Sequence, residues 1–255
     1  MFKDSSNNRA DIFLLLFLTI AMVIVKFPVP DMGRHWEIYV VLRYLPDNFS
    51  GLLYSLFDRW PTGPDQGWNY RPLQLSLMPF IYFKLFQWND KYWLATNLLF
   101  SGLTIILTYG LMKTITQNRV SAFFSAFFLM SFYTAAYTHT EKAQYDPDTL
   151  YIVFYLSSLI LFFRDLNSGQ KKYVLWAPLL FALALMSKEV AATMPILLFA
   201  AVILFKPNLL KAAGKLLRQT SVKPAQKLKN GLADLLIRKD SIISRMMPFI
   251  VIWSS

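Results

Sequence analysis

The chain contains no cysteine among its 255 residues. That excludes a disulfide framework, a cysteine-ligated zinc site and a thiol nucleophile. Histidine is nearly absent too, with only His35 and His139, which supplies a His-rich metal site or a histidine proton relay poorly. Glycine is scarce, at nine residues, and neither internal repeats nor low-complexity tracts are evident. Any chemistry falls to carboxylates, arginine and lysine. What the chain has in excess is apolar surface: 55% of its residues are hydrophobic and 16% aromatic. A water-soluble domain of this size is not built that way.

Crossing about 30 Å of hydrocarbon takes roughly 20 mostly apolar residues. Candidate spans are 11–27, 92–112, 120–138, 149–163, 173–187 and 190–205, with a further run opening at Met246. The first span has no small-residue cleavage site and is followed by Pro-Val-Pro-Asp, so it reads as a retained anchor. The run 72–88 is ambiguous, since it holds Pro72, Pro79 and Lys84. Charge resolves it. If 72–88 does not cross, segments 1–10, 113–119, 164–172 and 206–245 share one side and hold 17 of the 26 basic residues. Short Lys/Arg-rich loops stay cytoplasmic, so 72–88 is expected to be an interfacial or re-entrant helix and the amino terminus cytoplasmic. The net charge of +11 then reports orientation more than nucleic-acid binding.

The expected fold is all-α: a polytopic transmembrane bundle over 1–205, a basic cytoplasmic segment over 206–245, and the start of a truncated seventh span over 246–255. The pieces LLKAAGKLL and GLADLLIRK of the basic segment have amphipathic spacing, and read either as helices on the membrane face or as a solvated loop. On the outer face lie a first loop (28–91), a second loop (139–148) and the Lys188-Glu189 break in a long apolar stretch. In the first loop, Phe49, Leu52, Leu53, Leu56, Phe57 and Trp60 fall at helical spacing behind Asp47 or Asn48 as cap, predicting a helix lying apolar face down on the membrane. RHWEIYVVLRYL predicts another, and PTGPDQGWNY a turn region.

Four features of these outer segments carry candidate chemistry. Asp31, just past the first span, is either a helix cap or a carboxylate base, with Glu37 further along the same segment. Arg71 precedes Pro72, which pushes it out of helical conformation; it is either a snorkelling cation or a clamp for a phosphate at headgroup depth. His139, Glu141, Asp146 and Asp148 crowd the second loop, where Asp-Pro-Asp caps a helix or where carboxylates near a phosphate share a divalent cation such as magnesium or manganese. Lys188 and Glu189 interrupt apolar helices, as a salt-bridged turn or as functional charges.

In this order the motifs resemble a family. YRPLQLSL around Arg71, His139, Glu141 and Asp148 in the second loop, and LMSKEVAATMPILL around Lys188 and Glu189 are similar to the amino-terminal half of GT-C glycosyltransferases. The branch they resemble is that of the protein O-mannosyltransferases and the tetratricopeptide-carrying transferases, over about residues 10–206. Members usually carry a paired acidic motif after the first span, whereas here Asp31 is followed by Met32. They also continue through further spans, so this chain is expected to be an amino-terminal fragment. The resemblance implies an inverting enzyme that takes a sugar from a polyprenyl-phosphate donor and passes it to a hydroxyl of a protein, glycan or lipid on the non-cytoplasmic side. It implies Asp31 or Glu37 as base and Arg71 with Lys188 on the donor phosphate. A bacterial inner membrane is the expected location. Two other classes stay open: a transporter or flippase of lipid-linked substrates, and a non-catalytic membrane scaffold. The first would favour midplane charges, whereas here most charges sit at span ends.

Overall fold

A computed structural model describes residues 5–26, 47–57, 60–61, 68–69, 71–87, 89–138, 148–168 and 171–205, together with Met246, Pro248, Phe249, Val251 and Ile252. The architecture is all-α. In chain order the helices are α1 (Ser5–Lys26), α2 (Phe49–Ser55), a π-helical turn (Pro72–Leu77) running into α3 (Met78–Phe86), α4 (Asp90–Thr116), α5 (Arg119–Thr138), α6 (Asp148–Ser168), α7 (Lys171–Ser187), a 3-10 turn (Glu189–Thr193) and α8 (Met194–Phe205). The one strand pairing among the described residues is a two-residue antiparallel ladder that pairs Trp60 with Asn69 and Pro61 with Trp68.

Each boundary has a local cause. Asn89 Oδ1 accepts from Lys91 N to open α4, which closes on Gln117 in the left-handed region at φ 57°. Asn118 Oδ1 then accepts from Val120 N and Ser121 N, so a two-residue turn reverses the chain into α5. Serine and threonine hydroxyls within the helices donate to the carbonyl one turn back, as Thr104 does to Phe100 and Ser125 to Ser121. That leaves few polar hydrogens to desolvate in an apolar surround.

Two layers of core hold the bundle. Leu18 and Met22 of α1 pack on Ile105 and Tyr109 of α4 and on Ala122, Ala126 and Met130 of α5. The fully buried alanines, one turn apart, let α1 approach α5 closely. The larger cluster joins α4, α6, α7 and α8 through Leu111, Phe162, Phe163, Phe181, Met194, Leu198 and Val202. Ser158 Oγ donates to Ala177 O at 2.7 Å beside Pro178, tying α6 to α7. Leu107, Leu111 and Ile115 meet Leu159 through Leu166, so the later halves of α4 and α6 lie side by side and α7 returns beside them. The run that opens at Met246 belongs to this core: Phe249 stands edge-on to Phe162 at 5.6 Å and tilted on Phe181 at 5.6 Å.

Many large apolar side chains lie on the outer surface. Phe13, Phe132, Leu175 and Leu204 are each at least 70% exposed, and rows of such side chains have no place on a water-soluble monomer. The helices Lys91–Thr116 and Thr149–Ser168 are long and apolar enough to cross a bilayer, and shorter apolar helices run over Arg119–Phe132, Leu175–Ser187 and Glu189–Leu204. This is an integral membrane protein.

Three expectations change in detail. The helix expected from Phe49 to Trp60 ends at Ser55, with Leu56 as C-cap and Asn48 as N-cap, its Oδ1 accepting from Gly51 N at 2.8 Å. Pro61 draws the residue before it into extended conformation, and Trp60 pairs in the ladder instead. Its apolar stripe is also split: Leu52 is buried on a helix that packs against the π-helical turn, while Phe49 and Phe57 are exposed. The run 72–88 is helical over 72–86, about 22 Å at 1.5 Å per residue, and its Pro72, Leu73, Gln74 and Ser76 are buried with α7 as a neighbour. The helix expected at 190–205 divides into the 3-10 turn and α8, because Pro195 offers no N–H to Ala191 O, which accepts from Met194 N instead. RHWEIYVVLRYL and the amphipathic pieces of 206–245 lie outside the described residues.

Candidate functional site

The site grows from two breaks in helical structure. Pro72 locks the first residue of the π-helical turn and holds Arg71 at φ −135°, ψ 64°, outside the helix. At the second break α7 ends on Ser187, Lys188 is extended at φ −158°, ψ 134°, and the 3-10 turn starts at Glu189. Burial of the π-helical turn against α7 brings the breaks together. Arg71 Nε donates to Glu189 Oε2 at 2.7 Å, and Nη2 donates to Oε1, a two-toothed pair joining residues 118 apart in sequence. The Arg71 side chain is 19% exposed and that of Glu189 60%.

The Arg71 hydrogen bonds, with Lys188 as a further nearby cation, hold the Glu189 carboxyl below the usual glutamate range despite partial burial. Lys188 also meets an aromatic face. Its ammonium stands over the ring of Tyr151 at 5.5 Å from the centroid. One turn further along α6, Tyr155 shares a hydrogen bond of 3.3 Å with Thr193 of the 3-10 turn. Two cations, a carboxylate and a wall of two tyrosines therefore converge where α6 begins and α7 ends.

Of the residues singled out by sequence, Arg71 and Lys188 are brought to one place through Glu189. Asp148 opens α6 one turn ahead of Tyr151, but its side chain lies outside the description. Asp31, Glu37, His139, Glu141 and Asp146 fall outside the described residues altogether. The magnesium or manganese expectation rests on those same loop carboxylates; among the described residues no group of three His, Asp or Glu could hold a metal. Sequence reasoning missed Tyr151, Tyr155 and Thr193. The spacing i, i+4 of the two tyrosines on the helix that follows the second loop was the available signal.

Charges also gather at the other end of the bundle. Asp11 of α1 accepts from Tyr109 Oη at 2.6 Å, pairs with Lys113, and lies 3.2 Å from Arg119 Nε. The start of α1 thus sits where α4 ends and α5 begins.

No curated protein and no solved structure matches the chain. The sequence profile of the dolichyl-phosphate-mannose-protein mannosyltransferases matches residues 71–220, opening on Arg71 and taking in Lys188, Glu189 and both tyrosines. More than half of the chain lies within that match, and the chain belongs to the dolichyl-phosphate-mannose-protein mannosyltransferase family, a family of membrane glycosyltransferases.

Proposed function

We propose that this protein transfers a sugar from a polyprenyl-phosphate donor to a hydroxyl acceptor on the non-cytoplasmic side of the membrane, with inversion. The observation that carries the reading is the Arg71–Glu189 pair, which holds one partly buried cation against the residue that follows a second, Lys188. In the reaction the acceptor oxygen attacks the anomeric carbon as the bond from that carbon to the phosphate oxygen breaks. The acceptor proton passes to a carboxylate, for which Asp31 is our candidate and Glu37 the second. The polyprenyl phosphate leaves with one more negative charge than it carried in the donor. Fixed cations that meet charge developing only in the transition state are the most effective kind of electrostatic catalyst. Arg71 and Lys188 are assigned that task, and the tyrosine wall flanks it.

The sidedness is supported by the two charge clusters. The Asp11 cluster gathers basic residues of the segments assigned to the cytoplasm, and the Arg71–Glu189 pair lies at the opposite end, where α7 finishes. With α1 starting and α4 ending at one face, the chain between them leaves and re-enters at the other. The 15-residue stretch of π-helical turn and α3 is then interfacial or re-entrant, which agrees with a length too short to cross.

The test is transfer from a short-chain polyprenyl-phosphate sugar to a hydroxyl acceptor by purified protein in detergent. Arg71→Ala is expected to weaken donor binding. Asp31→Asn is expected to abolish transfer, by about a hundredfold or more, while donor binding persists. Full turnover by the Asp31 variant would remove Asp31 from the mechanism, and unchanged donor affinity in the Arg71 variant would remove the clamp.

A further inference from the structure

We propose, resting on that functional reading, that Glu189 is the positioning residue for Arg71, and that the edge of the guanidinium it leaves open is the edge that receives the donor phosphate. A guanidinium carries five N–H bonds and presents two forked edges to a planar acceptor. Glu189 occupies the side edge, formed by Nε and Nη2. The end edge, formed by Nη1 and the second hydrogen of Nη2, has no carboxylate on it among the described residues. A phosphate needs two such parallel donors, and the end edge supplies them without disturbing the pair.

Glu189 does three things for that edge. It fixes the plane of the guanidinium, which a long flexible side chain would otherwise sample. It ties the plane to the break that carries Lys188, so that both cations serve one position. It also partly balances the charge of Arg71 in the resting site, where the arginine is largely shielded from water and an unpaired cation would be costly. The opposite role, a carboxylate that blocks the arginine until phosphate displaces it, would place Glu189 across the end edge.

Binding of a short-chain polyprenyl phosphate to wild type, Arg71→Ala, Glu189→Ala and the double variant, in detergent, tests this directly. Loss of Glu189 is expected to weaken binding roughly tenfold or more, the usual effect of removing the partner that orients a ligand-binding group. The double variant should bind no worse than Arg71→Ala alone, because Glu189 acts only through Arg71. Millimolar guanidinium should restore transfer to Arg71→Ala and fail to restore it to the double variant, which a merely structural ion pair would not predict. Glu189→Gln, which keeps the shape, should fall between wild type and Glu189→Ala and serves where the alanine variant does not fold. Tighter phosphate binding without Glu189 would make it a competitor and overturn the inference, as would unchanged binding. A wild type that neither binds polyprenyl phosphate nor transfers sugar would overturn the functional reading and this inference with it, whereas a wild type that does both isolates any failure to Glu189.

Discussion

Asp11 and Tyr109 are 98 residues apart in sequence and share a hydrogen bond of 2.6 Å within the helix bundle. The tyrosine hydroxyl donates to one carboxylate oxygen, which also faces Arg119, while Lys113 takes the other. The start of α1 is thereby fastened to the end of α4. Asp11→Asn retains an acceptor for Tyr109 but leaves the two cations without their carboxylate. Lys113 and Arg119 are each about one-third exposed, at 33% and 31%, and recover part of the loss from water. A destabilisation of about 1–2 kcal/mol is expected, below the value for a fully buried pair. Thermal unfolding in detergent measures it, and a variant as stable as wild type would show the cluster to be ornamental.

The Arg71–Glu189 pair has a pH signature. The glutamate carboxyl is depressed in the folded protein, chiefly by the Arg71 hydrogen bonds, so the folded state binds fewer protons than the unfolded chain near the ordinary glutamate value. Its stabilising contribution is therefore complete above the ordinary value and is lost as pH falls through the lowered folded value. With Glu189 well exposed, the contribution itself is small, about 0.5–1 kcal/mol after solvent screening. The stability difference between wild type and Glu189→Gln should be constant from neutral pH down to about pH 5 and shrink under acid conditions. A difference that grew with acidity would contradict the pairing.

Because the chain has no native cysteine, each introduced thiol reports alone. Lys91→Cys and Val190→Cys replace exposed side chains near the ends of helices that we assign to the outer face. Val120→Cys and Ser168→Cys do the same for the cytoplasmic face. A membrane-impermeant maleimide applied from the outside should label the first two and spare the second two. Labelling of Lys91→Cys and Val120→Cys from the same side would break the proposed topology.

Phe249 tests whether the run opening at Met246 belongs to the bundle. Its ring is 1% exposed between Phe162 and Phe181, so Phe249→Ala leaves a cavity in the main core. A loss of about 3–4 kcal/mol is expected by thermal or chemical unfolding. A loss under about 1 kcal/mol would mean that the core closes without it.

Much of this was legible without coordinates. Apolar runs separated by short basic segments announce a membrane bundle, because backbone polar groups in hydrocarbon must be satisfied within each helix and the runs must be long enough to cross. The helices agree with that reading, most of them extending a few residues beyond the apolar runs, since polar caps such as Asn89 lie outside the hydrophobic pattern. Short motifs around Arg71 and Lys188-Glu189 pointed to the family that the profile match establishes. The stripe from Phe49 to Trp60 misled, because periodicity alone could not weigh the effect of Pro61 on Trp60.

By itself the sequence determined the class, most of the breaks between helices and the charged residues that have no business in a lipid interior. Those are local properties: composition, periodicity and the missing N–H of proline act within one or two turns. Which charges answer one another was decided only in three dimensions. Glu189 stands next to Lys188 in sequence yet pairs with Arg71, because the buried π-helical turn carries that arginine to the end of α7 and a two-toothed fork holds a carboxylate better than a flexible ammonium one residue away.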